Sequence, residues 1–145
     1  MIDSFRNEYY FLSNFFDAEV EYEGIIYKNN EAAFQAQKVL NDDEKRKFSD
    51  LNPREAKKLG KKVKLRSDWR KVREKYMYEI CKAKFQQHKD LSEKLLKTGK
   101  QELIEGNAWN DTFWGVCNGK GKNRLGKILM DIREELKADS LNDMK

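Results

Sequence analysis

The sequence predicts an α+β fold that is predominantly α-helical, a compact single domain over residues 1–145 with one small N-terminal β-hairpin. Three observations lead there. A chain of 145 residues can bury one real core and is too short for two. Alternation of period two occurs in AEVEYEGIIYKN, residues 18–29. Elsewhere apolar residues recur at three- and four-residue spacings within a chain that is 38% charged, which is the pattern of two-faced helices.

The hairpin places Val20 and Tyr22 before a Glu23-Gly24 turn and Ile25 and Tyr27 after it. Asn30 then caps a helix from Glu31 to about Leu40. At about 100° per residue, Ala32, Ala33, Ala36, Val39 and Leu40 fill one arc, and Glu31, Phe34, Gln35 and Lys38 the opposite one. That helix is expected to bury its small residues and display a stripe of carboxylate, ring, amide and amine. Helices follow at 43–50 and 53–61, the second opened by Pro53 after Asn52. A long helix begins near the N-cap Asp68, with Trp69, Val72, Tyr76, Ile80 and Ala83 on one face, flanked by Met77 and Cys81. Next come a helix from about Leu91 to Leu96, stopped by Thr98-Gly99, and a short one through Leu103. The last helix runs from Asn123 to Lys137 on a seam of Leu125, Ile128, Leu129, Ile132 and Leu136, and the tail ADSLNDMK, 138–145, is expected to fray.

Composition narrows the function classes. The apolar runs are too short to span a membrane. The N-terminal MIDSFRNEYYFLSNFF lacks a basic region and a small-residue cleavage site, so no signal peptide is expected. Cys81 and Cys117, with the lone His88, do not make a zinc site. The expectation is a cytoplasmic, reduced protein with no metal and no cofactor. The net charge of +5 is uneven, since residues 57–75 hold ten Lys or Arg against Asp68 and Glu74. Such a run either attracts phosphates, on nucleic acid or on a small nucleotide, or is a solvated helix face. Trp69 lies inside it.

The stretch GNAWNDTFWGVCNGKGKNRLG, 106–126, is too poor in aliphatic residues for a helix or strand, yet it carries two tryptophans. Asp111, among Trp109, Phe113 and Trp114, is either a carboxylate tuned by desolvation for acid–base work or an ordinary Asx-turn. Glu31 poses the same choice, because a first-turn Glu also suits the helix dipole. Gly115, Gly119, Gly121 and Gly126 leave Asn118, Lys120, Lys122 and Asn123 between them ahead of a helix, which makes an anion cradle or a plain turn. The spacing matches neither GxxxxGK[ST] nor GxGxxG. Trp69 and Trp114 are core residues or stacking platforms for a heterocycle. Cys81 reads as core, Cys117 as a small loop residue and His88 as an exposed helix end.

Five blocks in order, FRNEYYFLSNFF, EGIIYKNNEAAFQAQK, SDW, KFQQH…LLKTG and ND-FWG…GKGKNRLGKILMDIR, span about residues 5–137. Together they resemble the YbiA/NADAR family. Members of that family are N-glycosidases: some hydrolyse riboflavin-pathway intermediates bearing a ribosyl phosphate, and others remove ADP-ribose from modified guanine bases. The resemblance implies a compact, largely helical α+β fold without metal. It places the family's essential glutamate on Glu31, its tryptophan on Trp69 and its aspartate on Asp111. Lys38 matches the lysine closing the first helix motif, Ser13 and Asn14 the SNF block, and Trp114, Gly115 and Asn123 the WG and GxN blocks.

With these assignments, cleavage of a ribosyl C–N bond develops positive charge at the anomeric carbon, which a carboxylate stabilises. A second acid, or Lys38, helps the base leave. Glu31 and Asp111 share these tasks, Trp69 stacks on the heterocycle, and Arg6 or the Gly-rich loop holds the phosphate. The expected partner is a small nucleotide-like molecule, with ADP-ribosylated nucleic acid as the alternative and no membrane. Competing readings are a non-catalytic ADP-ribose or nucleic-acid binding module and a structural adaptor whose aromatics are core.

Overall fold

The computed structural model describes residues 1–143. Among them the chain is predominantly helical with one two-stranded antiparallel sheet, the α+β class that the sequence predicts. It clusters into two compact units, Asn14–Gln87 and the pair Met1–Ser13 with His88–Lys145.

In Asn14–Gln87, β1 (Asp17–Tyr22) and β2 (Ile25–Asn29) form the expected hairpin. Glu23 at φ 49° and Gly24 at φ 85° supply the left-handed pair that a two-residue turn needs. Val20, Tyr22, Ile25 and Tyr27 point inward, and α1 (Asn30–Ala36) and α4 (Trp69–Gln87) pack on the strands.

The cap of α1 is Asn29, one residue before the expected Asn30, and its side chain accepts from Ala32 N at 2.8 Å. All seven residues of α1 are buried, so the stripe of Glu31, Phe34 and Gln35 faces protein rather than solvent. Elements pack on more than one side of this short helix: the strands, α4, and α3 (Pro53–Gly60). The helix also stops at Ala36 instead of Leu40, and Leu40 is 71% exposed. The reason lies just downstream, where Asn41 turns extended to cap α2 (Asp42–Arg46). Beyond Arg46 the chain tightens into three-residue turns that bury Phe48, which shortens the helix expected over 43–50. α3 starts at Pro53 with a capping box between Asn52 and Glu55.

α4 begins at Trp69, but its buried seam is Trp69, Met77, Ile80, Cys81, Lys84 and Phe85. Val72, Tyr76 and Ala83 are only half-buried. Tyr76 is drawn to the margin by Arg66, whose guanidinium lies 5.3 Å from the ring and donates to the hydroxyl at 3.1 Å.

In the other unit, α5 (Lys89–Lys97) packs on α6 (Arg124–Asp143) through Leu91 and Leu95 on one side and Leu125, Ile128, Leu129 and Ile132 on the other. The expected short helix at Leu103 is instead an extended bridge to Ile2, closed by Ile2 N to Glu102 O at 2.9 Å and Ile104 N to Ile2 O at 2.8 Å. α6 continues six residues past the expected end at Lys137, so the tail is helical through Asp143; Met144 and Lys145 lie outside the described residues. No helix among the described residues is long and apolar enough to cross a membrane.

Candidate active site

Within Asn14–Gln87 the site residues gather on α1. Glu31 is buried at 9% exposure, and its backbone N–H donates to Asn14 O at 3.1 Å. One helical turn on, Gln35 Nε2 donates to Glu31 Oε2 at 2.8 Å. Asn14 is buried as well; its Oδ1 accepts from Asn30 Nδ2 at 3.1 Å and its Nδ2 lies 3.3 Å from Met77 Sδ. The loop residue from the SNF block therefore docks the N-terminal turn of α1. Cys81 sits in the same cluster, and burial pushes its thiol up to about 12, which keeps it an inert core residue.

Lys38 is half-buried just past the end of α1. Burial lowers its pKa, the charge of Glu31 opposes that shift, and Lys61 and Lys57 add to it. Lys57 also lies 5.8 Å from the Phe15 ring centroid. The cluster thus sets amines beside a carboxylate, an environment that draws anionic groups.

Trp69 is 8% exposed, and its ring stands 5.1 Å from that of Phe34 at 49°. The Trp69 N–H bonds Arg66 O at 3.3 Å and Arg66 N–H bonds Lys38 O at 2.9 Å, which ties the start of α4 to the end of α1. Arg66 is held by Asp68 through bonds of 2.7 and 3.1 Å, and this contact keeps the Asp68 carboxyl below its usual range. Of the basic run, then, Arg66 serves the fold, while Lys58, Lys61, Lys62, Lys64, Arg70 and Lys71 stand exposed.

In the second unit, Asp111 is half-buried and forms the Asx-turn weighed above: its Oδ1 accepts from Phe113 N at 3.1 Å and Trp114 N at 2.9 Å. Oδ2 has no partner among the described residues. Asn107 braces this loop, accepting from Asp111 N at 3.1 Å and donating to Asp111 O at 2.9 Å and Glu105 Oε2 at 3.0 Å. Phe113 and Trp114 meet edge to face at 4.7 Å, while Trp109 is 55% exposed. Gly115 is fixed by space, because a Cβ there would strike the Glu105 carboxylate and backbone oxygen.

The expected anion cradle ahead of α6 is not open. The N–H groups of Lys122, Asn123, Arg124 and Leu125 donate to the carbonyls of Thr112, Gly115, Phe113 and Trp114, at 2.8, 3.3, 3.1 and 3.0 Å. The helix N-terminus is capped by the aromatic loop itself, which leaves no row of free donors for a phosphate. The Asn123 amide is engaged within the unit at both ends, donating to Leu103 O and accepting from Glu105 N, each at 2.9 Å. Arg6 is exposed ahead of the short 3₁₀ turn Asn7–Leu12, and Ser13 closes that turn with its N–H on Tyr10 O at 2.9 Å.

Sequence reasoning set Glu31, Trp69 and Asp111 in one site; Asn14, Glu31, Lys38 and Trp69 fall in the unit Asn14–Gln87, and Asp111, Trp114, Gly115 and Asn123 fall in the other. It gave no part to Gln35, which bonds the Glu31 carboxylate, or to Asn107, which bonds the Asp111 backbone. Each lies four residues from the group it holds, and that spacing was the available signal.

The family model described as the NADAR domain matches residues 3–137. The chain belongs to the NADAR domain family. Its NADAR fold is shared with a solved structure, the NMR structure of the E. coli protein YbiA, at TM-score 0.85 and 34% identity over 97% of this chain and 89% of that one. The N-glycosidase YbiA of Shigella flexneri serotype 5b (strain 8401) is 39% identical over 139 residues, 92% of this chain and 85% of the relative. A riboflavin biosynthesis protein of Vibrio vulnificus (strain YJ016) is 36% identical over 132 residues, 87% of this chain and 35% of that longer protein.

Proposed function

We infer that this chain is an N-glycosidase, a hydrolase that cleaves the ribosyl C–N bond of a phosphorylated, nucleotide-like substrate of the riboflavin pathway and works in the cytoplasm. The observation that carries the reading is Glu31, a buried carboxylate oriented by Gln35 and set near the Lys38 amine, in a chain whose relatives are named as N-glycosidases and a riboflavin biosynthesis protein. Those names favour an enzyme over a binding module or an adaptor.

In the reaction the C1′–N bond breaks, its electron pair leaves with the base, and water supplies the new C1′–O bond. Glu31 and Asp111 divide two tasks between them: stabilising positive charge at C1′ and accepting the proton of water. Lys38 provides a proton to the leaving nitrogen or a contact to the phosphate. With the loop before α6 closed, the phosphate falls to Lys38, Lys57 and Lys61, with Arg6 as a further candidate. Trp69, beside Phe34, stacks on the heterocycle, and Ser13, Asn14, Trp114, Gly115 and Asn123 are the further candidates for substrate contacts.

The test offers purified protein a ribosylamino-pyrimidine phosphate and an ADP-ribosylated guanine oligonucleotide, each with EDTA, and follows the released base. Glu31→Gln and Asp111→Asn should each lose about 100-fold or more in kcat. Wild-type turnover by both variants on both substrates would show the assignment to be wrong. Removal of ADP-ribose from modified guanine is the second reading, favoured by the exposed Lys58, Lys61, Lys62 and Lys64. On that reading the oligonucleotide is the better substrate, and its KM climbs steeply with salt.

A further inference from the structure

α1 and α3 meet at Gly60. A Cβ built there would fall on the side-chain carbonyl oxygen of Gln35 and 2.9 Å from its amide carbon. The Gln35 amide therefore lies directly against the Gly60 backbone, in space that any other residue at position 60 would fill. One end of that amide donates to Glu31 Oε2 at 2.8 Å. The other end, Oε1, is buried and has no hydrogen-bond partner, while the residue as a whole is 6% exposed. Turning the amide over would aim a carbonyl oxygen at a carboxylate oxygen, so the chemistry of Glu31 fixes its orientation.

A buried carbonyl oxygen without a partner is destabilising. A side chain present only to fill the gap between α1 and α3 would serve better as Met or Leu, which leave nothing unpaired. The amide earns its place through the single bond to Glu31. That bond also limits the carboxylate to one side-chain arrangement, and a reacting group gains rate from being held in a fixed geometry.

We propose that Gln35, seated by Gly60, is a positioning residue that holds the Glu31 carboxylate in its working orientation. The proposal rests on the reading of Glu31 as a catalytic carboxylate. Its second part is that Gly60 acts on turnover through Gln35 and not through the general packing of α3.

The experiment compares kcat, KM and thermal stability for wild type, Glu31→Gln, Gln35→Met, Gly60→Ala, Gln35→Ala and the double variant Gly60→Ala/Gln35→Ala. Met matches the volume of Gln without its donor, so the fold is kept. Gln35→Met removes the unpaired Oε1 but also takes a hydrogen bond from the buried Glu31 carboxylate. It should stay folded with a melting temperature within several degrees of wild type, and lose about ten- to a hundredfold in kcat with KM changed by less than about threefold. Gly60→Ala should show the same kcat loss, and adding it to Gln35→Ala should cost no further activity, because no amide remains to be displaced. Wild-type kcat in Gln35→Met, alongside an inactive Glu31→Gln, overturns this inference and leaves the functional reading standing. Wild-type turnover in Glu31→Gln overturns both. If Gly60→Ala does not fold, Gln35→Met decides alone.

Discussion

Replacing Asn123 separates a brace from a ligand contact. The residue is 8% exposed and sits in the left-handed backbone region at φ 51°. Its amide joins the chain at Leu103 and Glu105 through two bonds of 2.9 Å. Asn123→Ala removes both, at roughly 0.5–1.5 kcal/mol net each and toward the upper end because the abandoned backbone groups are poorly hydrated. Both residues carry a Cβ, but Asn tolerates the left-handed region better than Ala, which adds up to about 1 kcal/mol. The sum is roughly 2–4 kcal/mol, a large part of the about 5–15 kcal/mol that holds a typical domain together. At roughly 2–4 °C per kcal/mol for a chain near this size, the melting temperature falls by about 10 °C. Asn123→Gly keeps the backbone penalty away and should lose roughly 1–2 kcal/mol less than Ala. The assay is thermal unfolding followed by circular dichroism, with KM and kcat measured well below each transition. A melting temperature within about 2 °C of wild type for Asn123→Ala, together with a raised KM, would refute the reasoning and make the amide a substrate contact.

Other consequences are as direct. Lys84 is fully buried against the rings of Phe16 and Phe85, and desolvation lowers its pKa to about 8 from 10.5. Between those two values the unfolded chain binds the extra proton, so this group's contribution to stability rises as pH climbs through that window. Lys84→Met should be more stable than wild type at pH 7, by a margin that shrinks towards pH 10.5; denaturant titrations across that range would show a constant margin if the lysine were charged in the fold. Gly115→Ala must displace the Glu105 backbone and should destabilise by more than about 3 kcal/mol, whereas Gly24→Ala, at φ 85° with open space around it, should lose only about 1–2 kcal/mol. Equal melting temperatures for those two variants would contradict the crowding at Gly115.

Local chemistry made much of the fold readable. The Glu23-Gly24 turn and the alternating Val20, Tyr22, Ile25 and Tyr27 specify a hairpin and its register within a dozen residues. Asn52, Pro53 and Glu55 specify the start of α3 in the same way, because cap and turn interactions connect residues only a few positions apart. The family blocks are likewise a property of the string, and they marked Glu31, Trp69 and Asp111 as candidates.

What the string could not hold is which groups meet across long separations. Periodicity gave α1 two faces, but packing by the strands and by α2, α3 and α4 buried both, and the polar stripe around Glu31 became interior. Lys84 was unreadable as core because lysine is seldom buried, and in the fold its Nζ lies 5.5 and 5.3 Å from the ring centroids of Phe16 and Phe85. The glycines before α6 had the composition of an anion site, yet carbonyls from Thr112 to Gly115 had already taken those donors. Short-range hydrogen bonds and alternation therefore determined elements and caps from sequence alone. Burial and donor occupancy depend on which segments the fold brings alongside, and only the tertiary structure decided them.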